Sequence, residues 1–165
     1  TGRVDIGLAY NPKTQPGLEI MPLLEEPLGL VSYAAKGKRG SRKANQPLPM
    51  KELPQYPLIL PEQAHAMRRL LETQAALAGI KLDIAWEVSS IPSIIDLVCA
   101  GYGHAVLTHS GVAASARAGE LTVRRLVAPT PLSVLCLVNS SQRRPTPLAQ
   151  QTMPLLAALV QALPA

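Results

Sequence analysis

The sequence has no phenylalanine, one tryptophan and four tyrosines. Platforms for single-stranded nucleic acid stack successive bases on several aromatic rings, so that use has little to stand on. Cysteine is equally scarce: Cys99 and Cys136 are the only two, each in an apolar run. Disulfide frameworks belong to small secreted domains, and these two thiols read instead as buried structural side chains. No apolar run approaches the roughly 18 residues of a membrane-spanning helix, so no membrane partner is expected. Charged residues make up only 16% of the chain while apolar ones reach 47%, a balance that excludes a disordered chain. There is no methionine at position 1 and no secretory signal, and Thr1 opens on a strand-like run. The expectation is the downstream part of a longer polypeptide.

Reactive constellations are missing too. The histidines His65, His104 and His109 lack metal-ligand spacing and have no cysteine beside them, so no metal is expected. Gly101-Tyr102-Gly103 follows a helix and precedes a strand, the reverse of the order that a phosphate loop needs, and it reads as a helix stop and tight turn. Thr108-His109-Ser110-Gly111 is not a nucleophile elbow, and the 11 acidic residues stand mostly apart. The sequence implies no cofactor and no enzyme.

The charge that is present is local. Sixteen Lys and Arg face 11 Asp and Glu, a formal charge of +5. Lys36, Lys38, Arg39, Arg42 and Lys43 account for that excess within one Gly- and Pro-rich stretch, and the rest of the chain is balanced. The stretch reads either as phosphate-contacting or as a solvated loop, and no helix-turn-helix segment accompanies it to read bases.

Short apolar strands alternate with helices. Val4–Ala9, Leu18–Leu24 and Leu28–Tyr33 read as strands, the last two interrupted near Glu25-Glu26-Pro27. Gly37–Pro49 reads as a loop. Pro57–Leu60 is a strand, and Met67, Leu70, Leu71, Ala75, Leu77 and Ala78 recur at helical spacing before Gly79. Leu82–Val88 is a strand, Ser89 and Ser90 cap a helix that stops at Gly101, and Ala105–Leu107 is another buried strand. Leu121–Leu126 and Leu132–Val138 are the last strands. Thr146-Pro147 opens a final helix that Pro154 should kink or split. This order implies a parallel or mixed sheet covered by helices.

Three strand ends in this pattern run into polar residues. Leu60 leads to Gln63, His65 and Arg68 at a helix start, Val88 to Ser89 and Ser90, and Leu107 to Thr108 and Ser110. Ligands of open α/β sheets sit outside the carboxyl ends of strands, where backbone N–H groups and helix dipoles favour anions. The same residues also read as plain caps and solvated first turns. Three such loops along one sheet edge have the geometry of a cleft wall.

Several segments carry a family likeness. Gly2-Arg3-Val4-Asp5-Ile6-Gly7-Leu8-Ala9 resembles the opening strand of this region in LysR-type transcriptional regulators, and Glu25-Glu26-Pro27-Leu28-Gly29-Leu30-Val31 resembles their crossover strand. Tyr56–Leu60 with His65 and Arg68, then Glu87–Ser90, then Leu97–Leu107, are similar to the family's second lobe, and Thr146-Pro147 to the start of its last helix. The series covers nearly the whole chain, in order.

The resemblance implies an α/β, type-2 periplasmic-binding-protein-like fold with two α/β lobes joined by two crossover strands. Residues 1–33 and 130–165 would form a partial lobe I, lacking its first part, and residues 34–129 would form lobe II. It implies an effector-sensing domain of a cytoplasmic, bacterial-type DNA-binding regulator, with a small molecule in the interlobe cleft. Tyr10 would line lobe I, and Gln63, His65, Ser90 and Thr108 would line lobe II. Promoter DNA would be bound through a helix-turn-helix upstream of this chain, in a homo-oligomer. The alternative on the same fold is the solute-binding protein of a transporter. Lobe II is expected to be self-contained. Lobe I is expected to expose an edge strand and apolar surface, which invites non-native association.

Overall fold

The apolar stretches described above need partners to cover them, and the computed structural model shows which segments supply the cover in each part of the chain. It describes residues 4–34, 46–142 and 144–162. The basic residues Lys36, Lys38, Arg39, Arg42 and Lys43 lie outside the described residues, as do Gly2, Arg3 and Arg143. In chain order the elements are β1 (Ile6–Tyr10), β2 (Leu18–Tyr33), β3 (Leu48–Pro49), a 3-10 helix (Met50–Gln55), β4 (Leu58–Leu60) and α1 (Ala66–Leu77). There follow β5 (Ile84–Glu87), α2 (Ile91–Cys99), β6 (Ala105–Thr108), α3 (His109–Ala113), a second 3-10 helix (Ala118–Glu120), β7 (Leu121–Val127), β8 (Leu132–Ser140) and α4 (Pro147–Gln161). The chain divides into two compact units: unit 1 is Thr1–Glu26 with Ser133–Ala165, and unit 2 is Pro27–Leu132. It passes between them twice, within β2 and at the start of β8.

Unit 1 is built on β8, which lies between β1 and β2. β1 runs antiparallel to it, with Leu8 opposite Leu137. The turn after β1 is fastened by Asn11: Val134 N–H donates to its Oδ1 at 2.8 Å, and its Nδ2 donates to Ser133 Oγ at 3.0 Å. Thr146 opens α4 by accepting from the Ala149 N–H at 3.2 Å, the N-cap role expected of Thr followed by Pro at the first turn. Pro154 does not split the helix, which runs unbroken to Gln161. The missing proline donor is tolerable because the carbonyl it leaves unserved belongs to exposed Gln150, where water can take its place.

In unit 2 the second half of β2 runs antiparallel to β6 and β7, while β3 lies parallel to β7. β4 is parallel to β5, and Leu58 bridges in parallel to His104 at the start of β6. Side chains alternate between two fully buried clusters. Leu28, Leu30, Leu58, Leu60 and Val106 enter one with Leu71 and Ala75 of α1. Val31, Ile59, Ala105 and Leu107 enter the other with Ile94 and Val98 of α2. Burial on both faces explains why these strands read as continuous apolar runs rather than alternating ones. Gly103 permits the close approach that joins β4 to β6, since a Cβ there would stand 2.7 Å from the Pro57 carbonyl oxygen. On either side of it His104 N–H donates to Pro57 O at 2.9 Å and Ile59 N–H to His104 O at 2.7 Å.

Two further sequence expectations about elements need correction. The interruption near Glu25-Glu26-Pro27 does not exist: β2 is one strand of 16 residues. Proline breaks a strand by withholding a ladder donor, and Pro27 falls where β2 changes partner, with Leu28 N–H turning to Pro131 O at 2.9 Å. The loop expected up to Pro49 ends earlier, because buried Leu48 pairs with Leu126 of β7.

Candidate functional site

The parallel register of β4, β5 and β6 brings three strand ends to one edge of unit 2. Leu60 is level with Glu87, and the Val88 N–H donates to the Leu60 carbonyl at 3.0 Å. Because β6 also runs parallel to β4, its last residue, Thr108, emerges at the same edge. A helix begins there each time: α1 after His65, α2 after Ser90 and α3 after Thr108. The first N–H groups of a helix have no intrahelical acceptor and carry the positive end of its dipole.

Gln63, His65, Ser90 and Thr108 therefore occupy one edge. Gln63 and His65 are exposed, Ser90 is half-buried, and Thr108 is buried. His65 caps α1, its Nδ1 accepting from the Met67 N–H at 3.3 Å. In the neutral ring this acceptor role puts the proton on Nε2, which remains a donor. Thr108 caps α3: its Oγ1 accepts from the Gly111 N–H at 3.2 Å and lies 3.3 Å from Ser110 Oγ. Ser90 is the N-cap of α2 by position, but its hydroxyl makes no capping hydrogen bond.

Tyr10 belongs to β1 in unit 1. Its hydroxyl donates to Glu26 Oε2 at 3.2 Å, and Glu26 is only 3% exposed. Two hollows of about 610 Å³ each occur in unit 1, one bordered by Asp5, Asn139 and Arg144 and the other by Asn11, Thr14 and Cys136. Neither includes any of the five residues named from the sequence.

Arg68 takes a different role from the exposed charge suggested by its place in the sequence. It is 2% exposed, with Nε donating to Glu72 at 2.7 Å and Nη1 to the Pro61 carbonyl at 3.0 Å. Its Nη2 lies 3.5 Å from Glu87. Its spacing to Glu72 is an ordinary i, i+4 pair, but nothing in the local sequence shows the link to Glu87 on another strand. Nor does it show the Tyr10–Glu26 pair, whose members stand 16 residues apart on two different strands.

The remaining polar chemistry braces the fold. Arg117 donates to both oxygens of Glu120 at 2.9 and 3.0 Å and to Asp96 at 3.2 Å. Those bonds, the Glu120 ones foremost, hold its proton still more firmly than usual. Burial pushes up the thiols of Cys99 and Cys136, so both are protonated near neutrality and neither is an activated nucleophile. Among the described residues, no three His, Cys, Asp or Glu side chains gather in a way that would hold a metal ion. No helix among them is long and apolar enough to cross a membrane.

Known proteins share this fold. The chain superposes on the regulatory domain of CcmR from Synechocystis PCC6803, in complex with 2-PG, with a TM-score of 0.81 at 18% identity, over 99% of this chain and 76% of that one. On the effector-binding domain of QuiR in complex with shikimate the TM-score is 0.76 at 15% identity, over 95% and 72%. The fold is that of the two-lobed, type-2 periplasmic-binding-protein-like regulatory domains. Among curated proteins it is 29% identical over 125 residues to the HTH-type transcriptional regulator BbuR of Bordetella bronchiseptica, covering 76% of this chain and 37% of that protein. The chain spans half or less of the length of the curated relatives it matches. The model of the LysR substrate binding domain matches residues 1–161, and with nearly every residue inside that match, the chain belongs to the LysR substrate-binding domain family.

Proposed function

We propose that this chain is the effector-sensing domain of a LysR-type transcriptional regulator and that its unit 2 edge holds the effector. The observation that carries the reading is the convergence of three helix N-termini on one sheet edge, dressed by Gln63, His65, Ser90 and Thr108. The positive ends of helix dipoles, a donor ring nitrogen and hydroxyls suit a small anionic or hydroxylated metabolite. The bound molecules of CcmR and QuiR, 2-PG and shikimate, support that class. In this reading unit 2 corresponds to lobe II and unit 1 to a partial lobe I.

The domain senses and does not catalyse. Its effector shifts an equilibrium between conformations, and a coupling of about 1–3 kcal/mol is enough to change promoter occupancy. The whole regulator acts in the cytoplasm as a homo-oligomer on promoter DNA, through a helix-turn-helix outside this chain. The name of BbuR, a regulator, supports this over a transporter's solute-binding protein.

The test is a thermal-shift titration of the full-length regulator with small carboxylates, 2-PG and shikimate included, alongside promoter binding. At 100 times its Kd a true effector stabilises by about 2.7 kcal/mol and alters DNA affinity. Substituting Ser90→Ala and His65→Ala should weaken that shift. A full-length protein that binds no promoter DNA under any condition would sink the regulator reading.

A further inference from the structure

Arg68 is the one charged residue among the fully buried large side chains of the described protein. A guanidinium taken from water costs several kcal/mol unless its donors and charge are met, and here two hydrogen-bond acceptors and a third group at ion-pair distance, on three different segments, surround it. Glu72 lies on α1 itself, the Pro61 carbonyl lies in the loop between β4 and α1, and Glu87 ends β5. Pro61 follows β4 and Glu87 ends β5, on adjacent, registered strands where Val88 N–H still holds Leu60 O. The loop after Pro61 carries Gln63 and His65, and the one after Glu87 carries Ser89 and Ser90. A helix brace would need only Glu72. The two further contacts cross between exactly the segments that bear the candidate ligand groups.

We propose that Arg68 is a positioning residue of the effector site, a strut that locks the β4–α1 loop to the end of β5 so that the two ligand-bearing loops hold one spacing. The inference rests on the effector-site reading above. Arginine suits the task because its planar fork serves several acceptors at once, where a lysine ammonium would serve one or two. The strut gives Glu72 and Glu87 unequal roles: Glu72 steadies the guanidinium from its own helix, whereas Glu87 is the tie to the neighbouring strand.

Amide hydrogen exchange on the 165-residue chain separates these roles. Arg68→Met should speed exchange in residues 62–66 and 88–91 together, by on the order of tenfold or more. Glu87→Gln should do the same more weakly. Glu72→Gln should leave 88–91 at wild-type rates, and Arg68→Lys should fall between wild type and Arg68→Met. Trp86, the sole tryptophan, adjoins Glu87 and packs edge-on to Tyr102 at 6.4 Å between ring centroids. Its fluorescence should shift in Arg68→Met and Glu87→Gln and hold steady in Glu72→Gln. The proposal is overturned if Arg68→Met leaves 88–91 unchanged, or if Glu72→Gln loosens both loops as much as Glu87→Gln does. Should Arg68→Met fail to fold, Glu87→Gln decides: wild-type exchange in 62–66 refutes the strut. None of these readouts involves a ligand. A wild-type chain that binds neither 2-PG nor shikimate would therefore count against the effector reading and leave the strut to be judged by exchange.

Discussion

Unit 2 and unit 1 are assembled from the same kinds of segment, apolar strands followed by amphipathic helices, yet they bury those segments to different depths. Both clusters of fully buried side chains lie in unit 2, on the two faces of its strands. In unit 1, β8 buries Leu135, Cys136 and Leu137, while Leu8 and Met21 on the neighbouring strands are 45% and 46% exposed. Helix α4 exposes Leu148, Leu155 and Leu159 at 74%, 65% and 67%. Their spacing of seven and four residues puts them on one stripe. A leucine stripe facing water is the pattern of a surface that packs against something. The contrast teaches that an apolar pattern marks a face to be covered, and that the cover is a separate matter.

Truncating a leucine in each unit should break or sustain this contrast with the largest effect. Leu58 is wholly buried between β4 neighbours in unit 2, so Leu58→Ala removes both transfer energy and packing and should cost about 2–5 kcal/mol. Leu155→Ala in unit 1 removes a side chain that is 65% exposed and should change stability by less than about 0.5 kcal/mol. Urea unfolding of the two variants measures both. Equal losses would mean that the Leu155 stripe is covered in solution and that the contrast is false.

A matched pair of glycines sharpens the same point at smaller scale. Gly29 sits in unit 2 where a Cβ would come within 2.6 Å of Val123 Cγ1 and 3.1 Å of the Arg124 carbonyl oxygen. Gly29→Ala must push β2 off β7 and should cost about 1–3 kcal/mol. Gly7 in unit 1 has nothing within 4 Å of the same added atom. Gly7→Ala should be neutral or stabilising by up to about 1 kcal/mol, through the lower entropy of the unfolded chain. Denaturant midpoints of the two variants should move in opposite directions or differ by most of that cost.

Two threonine caps make a third pair. Thr108 in unit 2 and Thr146 in unit 1 each accept from the amide three residues on at 3.2 Å. Thr146→Ala should cost about 1 kcal/mol. Thr108→Ala should cost up to about 2 kcal/mol, because it also vacates a buried position beside Ser110. Only Thr108→Ala should weaken the response to an effector, read as a smaller ligand-induced thermal shift.

The elements that could be read from the sequence are those whose signals are local. The helix of α1 declared itself by spacing and by Gly79, α2 by the position of Ser90, though not by a capping bond, and by Gly101, and α4 by Thr146-Pro147. Strand ends that carry Gln63, His65, Ser90 and Thr108 were likewise visible, because a polar residue after an apolar run is a local signal. What stayed hidden depends on distant partners. Pro27 reads as a break until β2 is seen to exchange one neighbour for another, and Leu48 reads as loop until β7 pairs with it. Arg68 reads as a solvated charge until Glu87 and Pro61 are found around it. The short helix α3 was missed because five residues are too few to show a period.

All three histidines, His65, His104 and His109, lie in unit 2 and none in unit 1, so pH sensitivity in the imidazole range should separate the units as well. His104 is half-buried, with Nδ1 2.7 Å from Ser32 Oγ and the Tyr56 ring edge-on at 5.1 Å between centroids. Arg124 donates to the Tyr56 hydroxyl at 3.1 Å, placing a cation near the same cluster. Burial lowers the His104 pKa below its ordinary value. The folded chain therefore takes up this proton at a lower pH than the unfolded chain does. Above the ordinary imidazole value of about 6.5 neither form is protonated and the residue adds no pH dependence. As pH falls through that value the unfolded state binds the proton first, and stability is lost until the folded pKa is passed. His104→Gln should flatten this part of the curve, the smallest of the effects predicted. Urea midpoints of wild type and variant between pH 7.5 and 5.5 measure it as a difference of slopes, which cancels the carboxylates common to both. An unchanged slope in the variant would show that the His104 site is open to water in solution, and would remove the pH distinction between the two units.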